Sequence, residues 1–316
     1  MSRAALDAIP AVIVGIERSE RARDALALAR TLAHALGARL ILASVYRVDP
    51  RRGASGAYAR ALEAEAQAAL DWAAGPLGGV PDVEYRTIPS LSVAHGLQEL
   101  AEAEGAFTIV VGSSHRGRLG GLLPGSVGQR LLHGASCPVA IAPRGHVSNP
   151  PAGLSRIGVG YAPGPDGWSA LRAACALAGR LGATMRVLSV AEPLAATASI
   201  PYGWGYADVE TSSRDALLRD LRRALDEAGD AIVATGEVVE GYADDELARL
   251  SDTVDLLICG SRGYGPVDSV LLGSVSTSLL RKASCPLLVI PRGAHESFRA
   301  AGFPQPLPRR IADQLA

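Results

Sequence analysis

Asp255–Gly293 reads DLLICGSRGYGPVDSVLLGSVSTSLLRKASCPLLVIPRG, and Phe107–Gly145 reads FTIVVGSSHRGRLGGLLPGSVGQRLLHGASCPVAIAPRG. Each stretch opens on a short apolar run that ends in glycine and passes through a glycine-rich loop. Each then reaches Gly-Ser at the head of a helical pattern and closes on an apolar run behind Cys-Pro, a strand-loop-helix-strand unit. Gly112, Gly125, Ser126, Cys137, Pro138 and Gly145 recur 148 positions later as Gly260, Gly273, Ser274, Cys285, Pro286 and Gly293. The chain is a tandem repeat.

Working outward, VIVGIE (Val12–Glu17) answers IGVGYA (Ile157–Ala162) and LGARL (Leu36–Leu40) answers LGATM (Leu181–Met185), now 145 positions apart. The three-residue change of offset puts the insertion in the variable middle of the unit. A period of roughly 150 residues is the size of a domain rather than of a solenoid repeat. The expected division is therefore a first domain over 1–146, a linker over 147–153, a second domain over 154–294 and a tail over 295–316. The linker falls in the Pro-, Gly- and Ser-rich segment Arg144–Arg156, and the tail carries Pro304, Pro306 and Pro308.

Within the first repeat, AVIVGI (Ala11–Ile16) is a buried strand, and Ser19 caps a helix whose Ala22, Ala25, Leu28, Ala29, Leu32 and Leu36 share one face. Gly37 closes that helix before the strand Leu40–Tyr46. A helix over Tyr58–Ala74, a strand over Val83–Ile88, a helix over Ser92–Ala103 and a strand over Phe107–Gly112 follow. A helix over Ser126–His133 and a strand over Pro138–Pro143 complete the unit. The second repeat gives the same order, with helices at Trp168–Leu181, Arg214–Ala228 and near Asp244–Leu250, and strands at Met185–Val190, Ile232–Val239, Asp255–Gly260 and Pro286–Pro291. Strands alternating with helices of this length imply crossovers and a parallel sheet covered on both faces. The fold class expected is α/β, two tandem five-stranded parallel-sheet sandwiches. The loop Ala195–Ser213 carries Tyr202, Trp204 and Tyr206, which read as packing first and as a ligand flap second.

Composition narrows the function. At 316 residues and 48% apolar content the chain can bury two cores. Its apolar runs are too short for a membrane span, and charges arrive too early for a signal peptide, so a cytoplasmic location and no membrane partner are expected. A net charge of −1 argues against a general nucleic-acid binder. Cys137, Cys175, Cys259 and Cys285 show no CxxC spacing and no two histidines lie at ligand spacing, so core packing is expected before metal or disulfide chemistry. Lys282 is the only lysine. A Walker loop or a kinase strand lysine is thereby excluded, and the bias to arginine fits a GC-rich bacterial genome.

In the second repeat Gly260 and Gly263 flank two residues, nine residues follow, and Gly273 and Ser274 open a helix. Glycines after a strand let backbone N–H groups approach an anion, and the helix start adds donors and the positive end of its dipole. Such a site sits at the carboxyl edge of the sheet, where open parallel sheets bind ligands. Turn geometry alone also calls for glycine at strand ends such as Gly112 and Gly260, but it accounts less well for Gly273-Ser274 at a fixed distance.

The spacing Gly-x2-Gly-x9-Gly-Ser, between DLLICG and CPLLVIPRG, resembles the nucleotide loop of the universal stress protein family, and the resemblance covers both halves. It implies an ATP-binding member, with Cys259, Gly260, Ser261, Gly263, Gly273, Ser274, Val275 and Ser276 around phosphates and ribose and Val190 offering backbone to adenine. Mg2+ is a companion ion that the residues neither require nor exclude. The aspartate that usually ends the family's first strand is replaced by Ala162, a missing contact worth roughly 1–2 kcal/mol. The first repeat keeps a carboxylate there, Glu17, but has His115 in place of the second loop glycine. Its candidate lining is Glu17, Val45, Gly112, Ser113, His115, Gly125, Ser126 and Val127.

These features weight the expected binding toward the second repeat. The implied role is a nucleotide-dependent regulator in stress adaptation. A slow ATPase or phosphotransferase stands second, because no acidic pair or activating lysine is legible, and a nucleotide-free docking module stands third. Each repeat ends on an apolar strand at a sheet edge, and the family pairs through that strand, so an internal pseudo-dimer is expected. Association of two such chains into a homodimer, and the identity of a downstream protein, are not set by these residues.

Overall fold

A computed structural model describes residues 10–49, 56–75, 82–114, 123–124, 126–151, 153–193, 206–228, 232–261 and 273–291. The first repeat comprises β1 (Ala11–Gly15), α1 (Glu20–Leu36), β2 (Arg39–Arg47), α2 (Ala57–Ala73), β3 (Val83–Ser90), α3 (Val93–Ala103), β4 (Thr108–Ser114), β5 (Leu123–Pro124), α4 (Ser126–Gly134) and β6 (Val139–Ala142). The second comprises β7 (Arg156–Gly160), α5 (Pro165–Leu181), β8 (Thr184–Ala191), α6 (Tyr206–Ala228), β9 (Ala234–Glu240), α7 (Ala243–Ser251), β10 (Leu256–Gly260), α8 (Ser274–Lys282) and β11 (Leu287–Ile290). Among the described residues no helix is long and apolar enough to cross a membrane.

Local signals account for most boundaries. The Ser19 hydroxyl accepts from the Ala22 amide at the head of α1, and Gly37 ends that helix at φ 58°. Gly182 does the same for α5 at φ 63°. Two helix starts differ from the sequence reading by three residues or more. Helix α5 begins at Pro165, three residues before the apolar stripe, because proline suits the first helical turn where no N–H partner is needed. Helix α6 begins at Tyr206 rather than Arg214. Of the aromatic segment, 195–205 lies outside the described residues, as do His115, Gly125, Gly263 and the tail 295–316.

The strands form one sheet in the order β3-β2-β1-β4-β6-β11-β10-β7-β8-β9, with β5 attached to β4. Every neighbour within a repeat's five main strands is parallel. At the centre β6 and β11 run antiparallel, pairing Leu287 with Ile141, Leu288 with Ala140 and Val289 with Val139. The two apolar terminal strands thus remove each other's free edge, and the repeats meet as the expected pseudo-dimer within one chain. The outer edges, β3 and β9, carry Glu84, Arg86, Glu237 and Glu240.

Side chains of one strand alternate between two cores. Val12 and Val14 join Leu28, Leu32, Leu171 and Leu177 under α1, α2, α5 and α6. Ala11 and Ile13 join Leu97, Leu131, Leu247 and Leu279 under α3, α4, α7 and α8. Both cores run across the seam. Further contacts cross it or brace the turn beside it: Arg180 donates to the Leu36 carbonyl at 2.6 Å, while buried Asp24 accepts from the amides of Gly145 and Val147 at 3.0 and 2.9 Å.

Candidate functional site

A cavity of about 820 Å³ opens at the carboxyl edge of the first repeat's sheet. Four of the residues singled out from sequence, Glu17, Val45, Gly112 and Val127, line it together. They come from the ends of β1, β2 and β4 and from the first turn of α4, so the parallel topology is what assembles them. Ser113 lies just beyond Gly112, almost fully buried, and its hydroxyl has no partner among the described residues. Ser126 opens α4.

Charge at the mouth is balanced. Glu17 accepts from Arg21 at 2.6 Å and from the Ser19 hydroxyl at 3.0 Å, and Arg18, Arg47, Asp49 and Glu65 also line the cavity. Glu17 and Arg21 are 59% and 37% exposed at their side chains. An exposed pair of this kind is worth about 0–1 kcal/mol, so either partner can turn to a ligand hydroxyl or anion at little cost.

Gly112 and Gly260 turn out to answer a packing demand. Neither has a positive φ. A Cβ on Gly112 would lie 2.2 Å from the Arg21 carbonyl oxygen, and one on Gly260 would lie 2.9 Å from that of Asp166. In each repeat the first turn of the helix after the first strand presses directly on the strand that feeds the loop, and only glycine admits that approach.

The second repeat arranges its counterpart differently. Gly273 caps α8 with no side-chain bond, so the first-turn amides of Ser274, Val275 and Ser276 have no intrahelical acceptor. The Gly273 and Ser261 amides are already committed, to the Ser261 and Ile290 carbonyls, both at 2.9 Å. Ser276 is buried and donates to the Gly260 carbonyl at 2.9 Å, tying α8 to β10. Its counterpart 148 positions earlier is Gly128, a lining residue of the first cavity. Cys259 and Val190 are buried in the core beneath α7 and α8. Burial pushes the thiols of Cys137, Cys259 and Cys285 up to about 12 and that of Cys175 to about 11, so all four stay protonated at neutral pH.

Positions that correspond to two residues of the first cavity carry larger or charged side chains in the second repeat. Leu40 pairs with Val83 and Met185 with Ala234, which sets the third strands 151 positions apart. Carried back through the preceding helices, this offset matches the cavity residue Ala69 with Asp220, and buried Leu70 and Ala73 with buried Leu221 and Ala224. Ile16 corresponds to Tyr161. The Tyr161 hydroxyl donates to Asp220 at 2.7 Å and its ring meets Trp168 edge to face, with centroids 5.9 Å apart. A hydrogen-bonded Tyr-Asp pair thus stands at the positions that correspond to Ile16 and Ala69 of the first repeat.

The universal stress protein family model matches residues 9–143 and again 153–291. The chain belongs to the universal stress protein family. A universal stress protein of Mycobacterium tuberculosis, Rv2319c, is 30% identical over 216 residues, covering 66% of this chain and 73% of the relative. The crystal structure of a universal stress protein from Archaeoglobus fulgidus aligns with 90% of this chain and 98% of its own length at 20% identity and a TM-score of 0.65, a likeness of fold. A universal stress protein solved in complex with cAMP aligns with 44% of this chain and 97% of its own at 22% identity and a TM-score of 0.34.

Sequence reasoning missed several lining residues: Tyr58, Leu62 and Ala66 of α2, Leu91 before α3, and Gly128. The signal for α2 was present in the spacing of Tyr58, Leu62, Glu65, Ala66 and Ala69, which places all five on one helical side. Among the described residues no group of three or more His, Cys, Asp or Glu side chains is arranged to hold a metal ion.

Proposed function

We propose that this universal stress protein binds an adenine nucleotide, ATP in the first instance, in the cavity of its first repeat, and that occupancy regulates its associations during stress adaptation. The observation that carries the reading is the convergence of Glu17, Val45, Gly112 and Val127 on one cavity of about 820 Å³, a size suited to a small organic ligand. The carboxylate of Glu17 suits ribose hydroxyls. The β4 end, with the unpartnered Ser113 hydroxyl behind it and the N-terminal turn of α4 beside it, suits phosphate oxygens. The second repeat retains the complete loop pattern and the uncapped α8, but Ala162 supplies no carboxylate, and the hydrogen-bonded Tyr161 and Asp220 stand where the first repeat has Ile16 and Ala69. The reading therefore makes it the weaker site, reversing the weighting that loop spacing alone suggests.

Calorimetric titration of ATP into protein stripped of co-purified ligand, with hydrolysis followed in parallel, tests this. Val127→Glu sets a carboxylate on the cavity wall in a helix turn that tolerates acids, and Gly273→Asp does the same at the head of α8. Saturable binding lost in Val127→Glu and retained in Gly273→Asp is expected, with stoichiometric binding far exceeding turnover. Loss in Gly273→Asp alone would move the site to the second repeat, and no saturable binding by the wild type would end the nucleotide reading.

A further inference from the structure

Two large apolar side chains stand in solvent at the mouth of the first repeat's cavity, Tyr58 at 75% exposure and Leu91 at 60%. They reach it from different sides of the sheet. Tyr58 belongs to the first turn of α2, whose Leu70 and Ala73 pack in the core beneath α1. Leu91 lies in the turn leading to α3, whose Leu97 packs in the opposite core. The strand order β3-β2-β1-β4 then fixes which end of the cavity they border. Gly112 and α4 lie at the β4 end, whereas α2 and the β3–α3 turn lie at the β2–β3 end.

Helical periodicity aims Tyr58 at this opening, because Leu62, Glu65, Ala66 and Ala69 continue its side of α2 and line the same cavity. Two of these lining residues are alanines, whose side chains take up little of the cavity. An exposed tyrosine and an exposed leucine that border one cavity from different sides of the sheet offer it a flat π surface and an aliphatic one, the surfaces that a planar aromatic group packs against.

The geometry points to Tyr58 and Leu91 as the two jaws of a clamp on the heterocyclic base of the bound nucleotide, with the Tyr58 ring stacked on the base. This rests on the nucleotide reading of the first repeat's cavity. Stacking of a base on an aromatic ring is indifferent to the tyrosine hydroxyl and to the phosphates, which gives the clamp a signature separable from the rest of the site. ATP, adenosine and inorganic tripolyphosphate would be titrated into wild type, Tyr58→Ala, Tyr58→Phe and Leu91→Ala, with hypochromism of the base read in parallel. Tyr58→Ala is expected to weaken ATP and adenosine by a common factor of roughly fivefold to fiftyfold and to abolish the hypochromism. Tyr58→Phe keeps both, Leu91→Ala shows a smaller loss, and tripolyphosphate binds all four proteins alike. Wild-type saturation by ATP with unchanged affinity in Tyr58→Ala overturns the clamp and leaves the nucleotide site standing. So does an equal loss of tripolyphosphate and ATP. Absence of ATP binding by the wild type overturns the nucleotide reading and the clamp with it.

Discussion

At the scale of single residues, the sharpest constraint is the missing side chain at Gly112. Any Cβ there would sit 2.2 Å from the Arg21 carbonyl oxygen, part of a helix backbone that cannot yield without moving the first turn of α1. Gly112→Ala is expected to destabilise the protein by about 2–4 kcal/mol, and Gly260→Ala by less because its contact is 2.9 Å, as read from urea unfolding midpoints. Asp255 makes a different prediction. Burial opposes its ionisation, but bonds from the Arg156 guanidinium, Ser155 and the Arg156 amide outweigh that and hold the carboxyl below its ordinary value. A carboxylate depressed in the folded state stabilises above its unfolded value, near pH 4, and that stability disappears as pH falls through the folded value. Asp255→Asn should therefore lose about 1–3 kcal/mol at pH 7 while showing less further loss between pH 4 and pH 2 than wild type. Urea midpoints across that range would check it.

At the scale of elements, the two loop-following helices share a sequence pattern and differ in attachment. Helix α8 is tied to β10 through the buried Ser276 hydroxyl, whereas α4 has Gly128 at that place and borders open space. Ser276→Ala is expected to cost about 1 kcal/mol, measured by thermal or urea unfolding, while leaving ATP affinity at the first repeat's cavity unchanged. The helix starts show what periodicity reads and what it misses. Apolar spacing marks Trp168 and Arg214 onward because those stretches bury a stripe, but the helices themselves begin earlier, at Pro165 and Tyr206.

For the whole molecule, the decisive junction is β6 against β11. Strand β11 has β10 on its other side, so it is a central strand whose backbone is paired on both edges. Proline at Val289 would remove a ladder donor and force its ring into a neighbour, at a cost of about 3 kcal/mol or more. Because both cores cross the seam, wild type should unfold in one calorimetric transition. Val289→Pro should lower the midpoint and split the transition in two. A single unshifted transition would show that the seam does not couple the repeats.

The duplication, the α/β class, the succession of strands and helices along each repeat and the family were all legible in the sequence; the order of the strands in the sheet was not read from it. They rest on local regularities: apolar runs, helical spacing, caps such as Ser19 and Gly37, and the recurrence of Gly112 to Gly145 as Gly260 to Gly293. Glu17, Val45, Gly112 and Val127 were legible for the same reason, since each sits at a strand end or helix start within a recognisable pattern. Only the tertiary structure showed the cavity of the first repeat. Its walls are side chains from distant parts of the chain, Ile16 and Ala69 among them, and the corresponding Tyr161 and Asp220 of the second repeat meet in a hydrogen bond. The backbone contacts that require Gly112 and Gly260 are likewise made with helices far away in sequence. Local pattern sets the elements and their order, while volume and contact between remote side chains decide where a cavity stays open.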